Sequence, residues 1–430
     1  MPRGNAGVHV KRADIVMVGA GPAGMAAAVR ASESGRSVTI LDDNPAEGGQ
    51  IWRGAKRSPP NGQAAKWFRK FQGCRAERIA GANIVAGDAG SRTLLVEGSG
   101  DSFEIQFESL ILATGARELF LPFPGWTLPN VTGVGGLQAL VKSGLPVEGK
   151  RVVVAGSGPL LLAVAAYLRQ HGALVEAIAE QADWNRLLRF GVRLLGYPSK
   201  LWQAAALAPS AYLAGAWVTA AEGKTKLERI QLRHGSKERT IDCDYLAVAY
   251  GFWPNVELPS YLGCQLREKA VKVDELQRTT VPHIYCAGEV AGLGGVDRAL
   301  VEGQIAGYAA AGQDNQAKAL FVAREKTHAF AHAMQETFTL RPEVQALAEP
   351  HTIVCRCEDV TFERLRSADS WRAGKLHTRC GMGPCQGRIC GPAAQHLFGW
   401  RVESIRLPVF PARIGSLISK TTSSEKGVLL

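Results

Sequence analysis

Asp14-Ile15-Val16-Met17-Val18-Gly19-Ala20-Gly21-Pro22-Ala23-Gly24 sets an apolar run directly against glycines in G-x-G-x-x-G spacing. Asp14–Val18 reads as a strand, Gly21–Ser34 as a helix and Ser37–Leu41 as a second strand, which together make a βαβ unit. Gly19 permits the tight turn, Gly21 lets a pyrophosphate approach the backbone, and Gly24 lets the helix pack closely on the strand. Pro22 and Ala23 belong to the same phosphate turn. The diphosphate would rest on the helix N-terminus, where unpaired N–H groups and the helix dipole favour negative charge. Asp42 ends the second strand, placed to accept hydrogen bonds from a ribose, and Asp43 adjoins it. A glycine triplet alone is a weak signal; strand, helix, second strand and terminal acid agree here.

Working outward, a β-rich stretch ends in the strand Ser109–Ala113, and Leu121–Gly136, rich in Pro and Gly, looks like a connection between domains. The βαβ pattern then starts again at Arg151, with strand Val152–Ala155, helix Pro159–His171 and strand Leu174–Ala179. The two glycine turns lie roughly 135 residues apart, so the chain carries two dinucleotide folds. The second turn, Gly156-Ser157-Gly158, has Glu180 where a ribose acid should stand. Its third glycine position is Leu161, whose side chain is expected to push the helix off the strand. Three readings stay open: a site for NAD(P)H, a site for a nucleotide that does no chemistry, or a retained scaffold.

The chain has 430 residues, with 46% hydrophobic and 21% charged residues, an ordinary globular mix with room for two or three cores. Lys and Arg outnumber Asp and Glu by 50 to 39, but the charges are scattered and no aromatic and basic stripe is visible, which argues against nucleic acid. Residues 1–14 are polar, so no secretory signal is expected and a cytoplasmic location is. The charge-free stretch 201–221 is long enough to span a membrane, but Pro209, Ser210 and Gly215 break it. A helix followed by a strand is the better reading; no transmembrane segment is expected, and peripheral membrane contact stays open.

Five of the nine cysteines fall between Cys355 and Cys390. Without an export signal, such a cluster suits a metal site better than a disulfide framework. The spacing Cys355-x-Cys357 fits structural zinc poorly, since zinc favours pairs two to four residues apart. An iron–sulfur centre, zinc and unliganded thiols are the readings in descending order. Arg356, Arg379 and Arg388 stand near enough in sequence to offset thiolate charge or to be solvated surface residues. No Cys-x-x-Cys or Cys-x4-Cys follows the first βαβ unit, so a redox disulfide of the disulfide-reductase kind is not expected. No residue stands out as a catalytic acid or base.

Three further motifs carry a resemblance. Glu47-Gly48-Gly49-Gln50, Leu112-Ala113-Thr114-Gly115-Ala116 and Ile284-Tyr285-Cys286-Ala287-Gly288-Glu289 are similar to recurring motifs of the glutathione-reductase-like flavoproteins with two dinucleotide-binding domains. The resemblance implies an α/β fold and FAD in the first site, with Gly49, Gln50, Ala113, Thr114, Gly115, Gly288 and Glu289 among the contacts. It also implies a helix from about Val296 to Ala311 pointing its N-terminus at the flavin. Glu289 stands where that family usually has Asp. Tyr250-Gly251-Phe252-Trp253-Pro254-Asn255 resembles the return motif of the second domain.

The segments Cys355-Arg356-Cys357-Glu358-Asp359-Val360 and Thr378–Cys390 resemble the 2Fe–2S module of bacterioferritin-associated ferredoxin. Its fusion to a two-domain flavoprotein, with Pro122-Phe123-Pro124-Gly125-Trp126-Thr127-Leu128-Pro129 between the halves, resembles the α-type subunits of hydrogen cyanide synthase, opine oxidase and D-hydroxyproline dehydrogenase. That likeness implies cluster ligands Cys355, Cys357, Cys385 and Cys390, with Cys380 a spare thiol. It further implies three companions: a partner β subunit that is an amine-oxidising flavoprotein, a small third subunit, and a further flavin (FMN) at an interface between chains. The chain would relay electrons from an amino acid such as D-hydroxyproline, an opine or glycine, oxidised by the partner, to an external acceptor. A self-contained NAD(P)H-dependent reductase feeding its own cluster is the alternative. The expected division is an FAD domain over 1–145 and 271–315, a second dinucleotide domain over 146–270, a linker over 316–350, the 2Fe–2S module over 351–415 and a tail over 416–430. Residues 313–350 and the basic C-terminal segment are the expected docking surfaces.

Overall fold

Ile15, Val16 and Met17 are wholly buried, as a continuous apolar run without alternation requires: both faces of such a strand must be covered. The computed structural model describes residues 9–54, 62–197, 211–401 and 405–418. Strand β1 (His9–Val18) pairs in parallel with β2 (Val38–Asp42) on one side and β6 (Ser102–Leu112) on the other. The sheet has seven strands, in the order β3 (Glu77–Ala80), β2, β1, β6, β5 (Thr93–Glu97), β4 (Asn83–Asp88), and the strand Ile284–Cys286 pairs in parallel with the end of β6. Helix α1 (Pro22–Ser32) joins β1 to β2.

Helix Gly295–Ala310 fixes α1 from the side. A Cβ at Gly303 would stand 2.2 Å from the Ala23 carbonyl oxygen, and one at Gly307 would stand 2.4 Å from that of Ala27. The two helices therefore run backbone against backbone, which only small residues on both faces allow. Inside this contact Glu302 is wholly buried. Its carboxylate takes Arg298 Nε at 2.7 Å, His328 Nε2 at 2.8 Å and the Gly288 N–H at 3.1 Å, so a charge that would be costly alone is fully partnered.

The second glycine turn belongs to a five-stranded parallel sheet, in the order Tyr212–Ala214, Leu174–Glu180, Arg151–Gly156, Tyr245–Ala249, Val131–Gly133. A three-stranded antiparallel sheet, Ala216–Glu222, Arg229–His234 and Lys237–Asp242, adds to it. Leu161 does not push helix Leu160–Gln170 away. Its side chain is wholly buried in a core with Val134, Leu137, Val164 and Leu168, so the larger residue is absorbed between helix and sheet.

Several expectations are corrected. Leu121–Gly136 is no loose connection: Leu121, Phe123 and Trp126 are buried with the second sheet, and Gly125 lies so close to Ala221 that a Cβ would fall 1.8 Å from its carbonyl oxygen. By internal packing one compact unit takes in the chain to Ala116, Pro254–Ala331 and the segment from Ser404, and the other takes Arg117–Trp253 and His332–Glu403. The C-terminal segment is no free docking surface. Val409 donates its N–H to Val85 at 2.9 Å, and Ser416 Oγ and the Arg413 N–H bond Glu97. The strand expected within 201–221 is present as Ala216–Glu222; the helix expected before it, and most of the tail, lie outside the described residues. Among the described residues no helix is long and apolar enough to cross a membrane.

The glycine contacts make opposite predictions at two helical sites. Gly303→Ala removes a residue with poor helix propensity but drives a Cβ into backbone, so overpacking at about 1–3 kcal/mol outweighs a gain of about 0.5–1 kcal/mol. Gly191, in helix Trp184–Leu194, has nothing within 4 Å of its Cβ position. Urea denaturation should show Gly303→Ala less stable than wild type and Gly191→Ala more stable.

Candidate functional site

The first glycine turn is shaped by close approach. Gly19 has φ 103°, and a Cβ there would lie 2.3 Å from the Ala113 carbonyl oxygen; at Gly24 it would lie 1.8 Å from the Gly19 carbonyl oxygen. Gly21 is different: its Cβ would meet only the Gly49 Cα, at 3.8 Å. That contact is at ordinary van der Waals distance, so a Cβ would fit there without displacing backbone. Gly21 is the N-cap of α1, no side chain caps it, and Pro22 follows as the first helical residue. The N–H groups of a helix start without a side-chain cap suit an anionic diphosphate.

Around this turn the expected residues converge. Asp42, buried at the end of β2, accepts the Ala20 N–H on one oxygen and the Asn44 N–H, at 2.7 Å, on the other. Asp43 is exposed and bonds Asn44 Nδ2 at 2.7 Å. Gly48 donates its N–H to the Ala20 carbonyl at 2.9 Å, which lays the Gly48-Gly49-Gln50 loop over the turn. A Cβ on Gly49 would come within 2.9 Å of the Gly21 Cα; Gln50 is exposed. Ala113 is the buried contact of Gly19, and Gly115 has nothing within 4 Å of its Cβ position. Gly288 presses on Ala23, whose Cβ would lie 2.8 Å from one on Gly288. Burial pushes the Glu289 carboxyl above its ordinary range, against the Gly295 N–H and the Arg298 charge, which lower it. Glu289 thus meets the start of the helix expected to face the flavin.

Sequence reasoning missed Asn255. Its side chain donates to the Thr114 carbonyl at 2.8 Å, Thr114 Oγ1 donates to the Asn255 carbonyl at 2.7 Å, and the Asn255 N–H donates to Gly115 at 2.9 Å. The residue assigned to the second domain's return motif therefore braces the Thr114-Gly115 edge of the first site. Gly303, Gly307 and Glu302 were also missed, although the Gly-x3-Gly spacing was a visible sign of close helix packing.

The cysteine-rich module has its own core of Val354, Val360, Leu365, Trp371 and Ala394 around three thiols. The Sγ atoms of Cys355, Cys380 and Cys390 lie within 4.8 Å of one another, all buried. Thiol donation from Cys380 and Cys390, with the N–H of Gly381 at 3.5 Å, pushes Cys355 down to about 2. Cys357 is exposed and accepts the N–H of Cys385, which is half-buried. Gly383 makes room for this pair, since a Cβ there would lie 2.3 Å from that of Cys357. Trp371 braces the loop: Cβ atoms on Gly381 and Gly387, both at positive φ, would fall 2.7 and 2.9 Å from its ring. Buried, convergent, soft donors fit an iron–sulfur centre. Cys380, set aside as a spare thiol, is one of the three that converge. Of the arginines, Arg379 pairs with Glu358 at 2.8 Å, Arg388 bonds the Cys385 carbonyl, and Arg356 is exposed. The module is anchored by Trp126 Nε1, which donates to Ile353 at 2.5 Å, and by Arg117, which donates to the Arg388 carbonyl at 2.9 Å.

At the second glycine turn Glu180 is wholly buried and takes the N–H groups of Gly158 and Ala182 at 2.7 and 2.8 Å and Ser157 Oγ at 3.1 Å. Burial pushes its carboxyl up to about 7 despite these donors. A recess of about 390 Å³ opens beside it, lined by Gln181, Asp183, Arg186, Arg341, Pro342 and Glu343.

Fold and first site together define a flavoprotein-type oxidoreductase built on two dinucleotide folds. The profile described as pyridine nucleotide-disulphide oxidoreductase matches residues 13–315. The chain is 33% identical to the HcnB subunit of hydrogen cyanide synthase from Pseudomonas aeruginosa, over 87% of this chain and 90% of that one. It is 30% identical to an opine oxidase subunit from Agrobacterium tumefaciens (strain Ach5), over 94% and 91%. The chain belongs to the pyridine nucleotide-disulphide oxidoreductase family, in the group that holds these two subunits. Among solved structures, L-proline dehydrogenase from P. horikoshii shares the fold, with TM-score 0.66 and 18% identity over 95% of this chain and 80% of that one. Thioredoxin reductase from T. acidophilum does so over 71% and 99%, with TM-score 0.53 and 22% identity.

The ordinary contact distance at Gly21 separates folding from binding. Gly21→Val should give a folded protein without flavin, because its Cβ meets the fold only at ordinary contact distance while its methyl groups take up the approach a pyrophosphate needs. Circular dichroism and the flavin-to-protein absorbance ratio after desalting check this; stoichiometric FAD in the variant would move the site elsewhere.

Proposed function

We propose that this chain is the electron-transfer subunit of a heteromeric amino-acid or amine dehydrogenase, with FAD in the first dinucleotide fold and a 2Fe–2S cluster in the C-terminal module. One observation carries the reading: a single chain builds both a glycine-turn cradle at a helix start and a cysteine module in which buried Cys355, Cys380 and Cys390 converge and Cys357 pairs with Cys385. Its relatives are named as subunits of hydrogen cyanide synthase and opine oxidase, which supports a heteromeric setting. Bound in these places, FAD supplies electron transfer in pairs or singly, and the cluster supplies it singly.

The chain's own residues bind and orient. Gly19, Gly21, Pro22, Ala23 and Gly24 hold the pyrophosphate on the start of α1, with Asp42 and Asp43 at the ribose and Gly49 and Gln50 above. Ala113, Thr114 and Gly115 border the flavin on one side, braced by Asn255; Gly288 and Glu289 border the ribityl chain, braced by Glu302. Cys355, Cys357, Cys385 and Cys390 are the ligands, and Cys380 packs against Cys355 and Cys390 without being needed as a ligand. Substrate oxidation falls to a partner flavoprotein that acts on the C–N bond of D-hydroxyproline, an opine, glycine or a similar compound. An interface FMN and a small third subunit complete the assembly, which is placed in the cytoplasm.

Reconstitution tests this. The chain expressed alone should reduce no dye with a panel of amino acids, and expressed with its genomic neighbours it should do so with at least one of them. Robust amine oxidation by the chain alone would defeat the proposal, as would neighbours that encode no flavoprotein.

A further inference from the structure

At the second glycine turn a distant segment of the chain, Phe338–Arg341, lies against the glycines. A Cβ on Gly158 would find the ring of Phe338 at 4.0 Å, a side chain brought in from 180 positions away, whereas the nearest atom to a Cβ on its counterpart Gly21 is the Gly49 Cα of the adjoining loop, at 3.8 Å. The backbone of Phe338 is held there too, since Ser157 Oγ lies 3.2 Å from its carbonyl oxygen. The next residues continue the contact. The Thr339 carbonyl accepts from Gln181 Nε2 at 3.2 Å and from Arg186 at 3.0 Å. Arg341 donates its N–H to Gln181 Oε1 at 2.9 Å and lays its guanidinium over the Trp217 ring at 4.4 Å. Phe338 meets Phe190 edge-on at 5.4 Å.

These contacts use the groups a dinucleotide would need. The glycine that should admit a pyrophosphate has an aromatic ring over it. The wholly buried Gln181, next to Glu180, is committed to Ser157, Thr339 and Arg341. The recess that remains is itself walled by Arg341, Pro342 and Glu343. A segment expected to offer a free docking surface is instead inserted into its own domain.

We propose that Phe338–Arg341 is a built-in ligand of the second dinucleotide fold, lying over the pyrophosphate position and closing the site to NAD(P)H. The fold is kept as the seat for this segment, and hydride from a nicotinamide does not enter the chain there. This closure is independent of what feeds the first site.

The flavin-loaded protein is titrated with ADP-ribose and with NADH, followed by calorimetry and by flavin absorbance. Wild type should bind neither saturably. Phe338→Ala should gain binding of about tenfold or more, from removal of a large, partly buried apolar side chain that competes for the site. Arg341→Ala, which loosens the segment but leaves the aromatic core intact, should gain binding in the same direction and guards against a Phe338→Ala protein that does not fold. Wild-type binding as tight as that of the variants would overturn the proposal. So would variants with normal flavin content that gain no binding. A failure of the relay reading would appear in the amine-dependent dye assay and leave this titration unaffected.

Discussion

Around Gly19 three stretches of backbone meet more closely than any side chain permits. The Ala113 carbonyl lies where a Cβ of Gly19 would be, and the Gly19 carbonyl lies where a Cβ of Gly24 would be. Sheet, turn and helix α1 are thereby locked to one another by main chain alone. Helix Gly295–Ala310 then settles on α1 through the same kind of contact at Gly303 and Gly307. Everything that borders the first site, from the loop at Gly49 to the turn at Gly288, takes its position from this stack. Such contacts leave little room to slide, so the borders of the site keep fixed places relative to one another.

Polar groups inside the stack follow the same economy. Glu302 is the sole charge wholly buried in its helix, and Arg298, His328 and the Gly288 N–H surround it. Removing one partner of such a group typically costs about 3–5 kcal/mol, because the remaining charge stays buried. The network therefore ties the return turn at Gly288 to the interior of the protein. At the second turn the polar groups are satisfied in another way, by the chain's own Phe338 and Thr339 carbonyls. Two copies of one motif thus differ in what lies against them: the adjoining Gly48-Gly49 loop at the first, the distant Phe338–Arg341 segment at the second.

Local pattern made much of this legible. The strand and helix limits of both βαβ units lie within a few residues of those read from periodicity, and the helix expected at Val296–Ala311 runs from Gly295 to Ala310. Glycine spacing identified the turn because the physics of close approach leaves a residue-level mark. What was not legible depends on contacts between distant residues. Asn255 braces Thr114, 141 positions away, and Phe338 covers Gly158; neither leaves any local sign. The Pro- and Gly-rich stretch after Leu121 looked like a connection because turn residues dominate it, yet its Phe123 and Trp126 are core. In the cysteine module, spacing pointed to a metal centre, whereas the burial of Cys380 beside Cys355 and Cys390 became visible only in three dimensions.

The relay requires that electrons from an amine reach an iron–sulfur centre in this chain by way of its partners. Electron paramagnetic resonance of the assembled complex, frozen after anaerobic addition of the amino acid that supports dye reduction, tests that most directly. A working relay predicts a reduced 2Fe–2S signal stoichiometric with the chain, dependent on the partner flavoprotein and absent when Cys385 is replaced by Ala. Zinc in place of iron at the module, or a substrate-reduced flavin with the iron–sulfur signal missing, would contradict it.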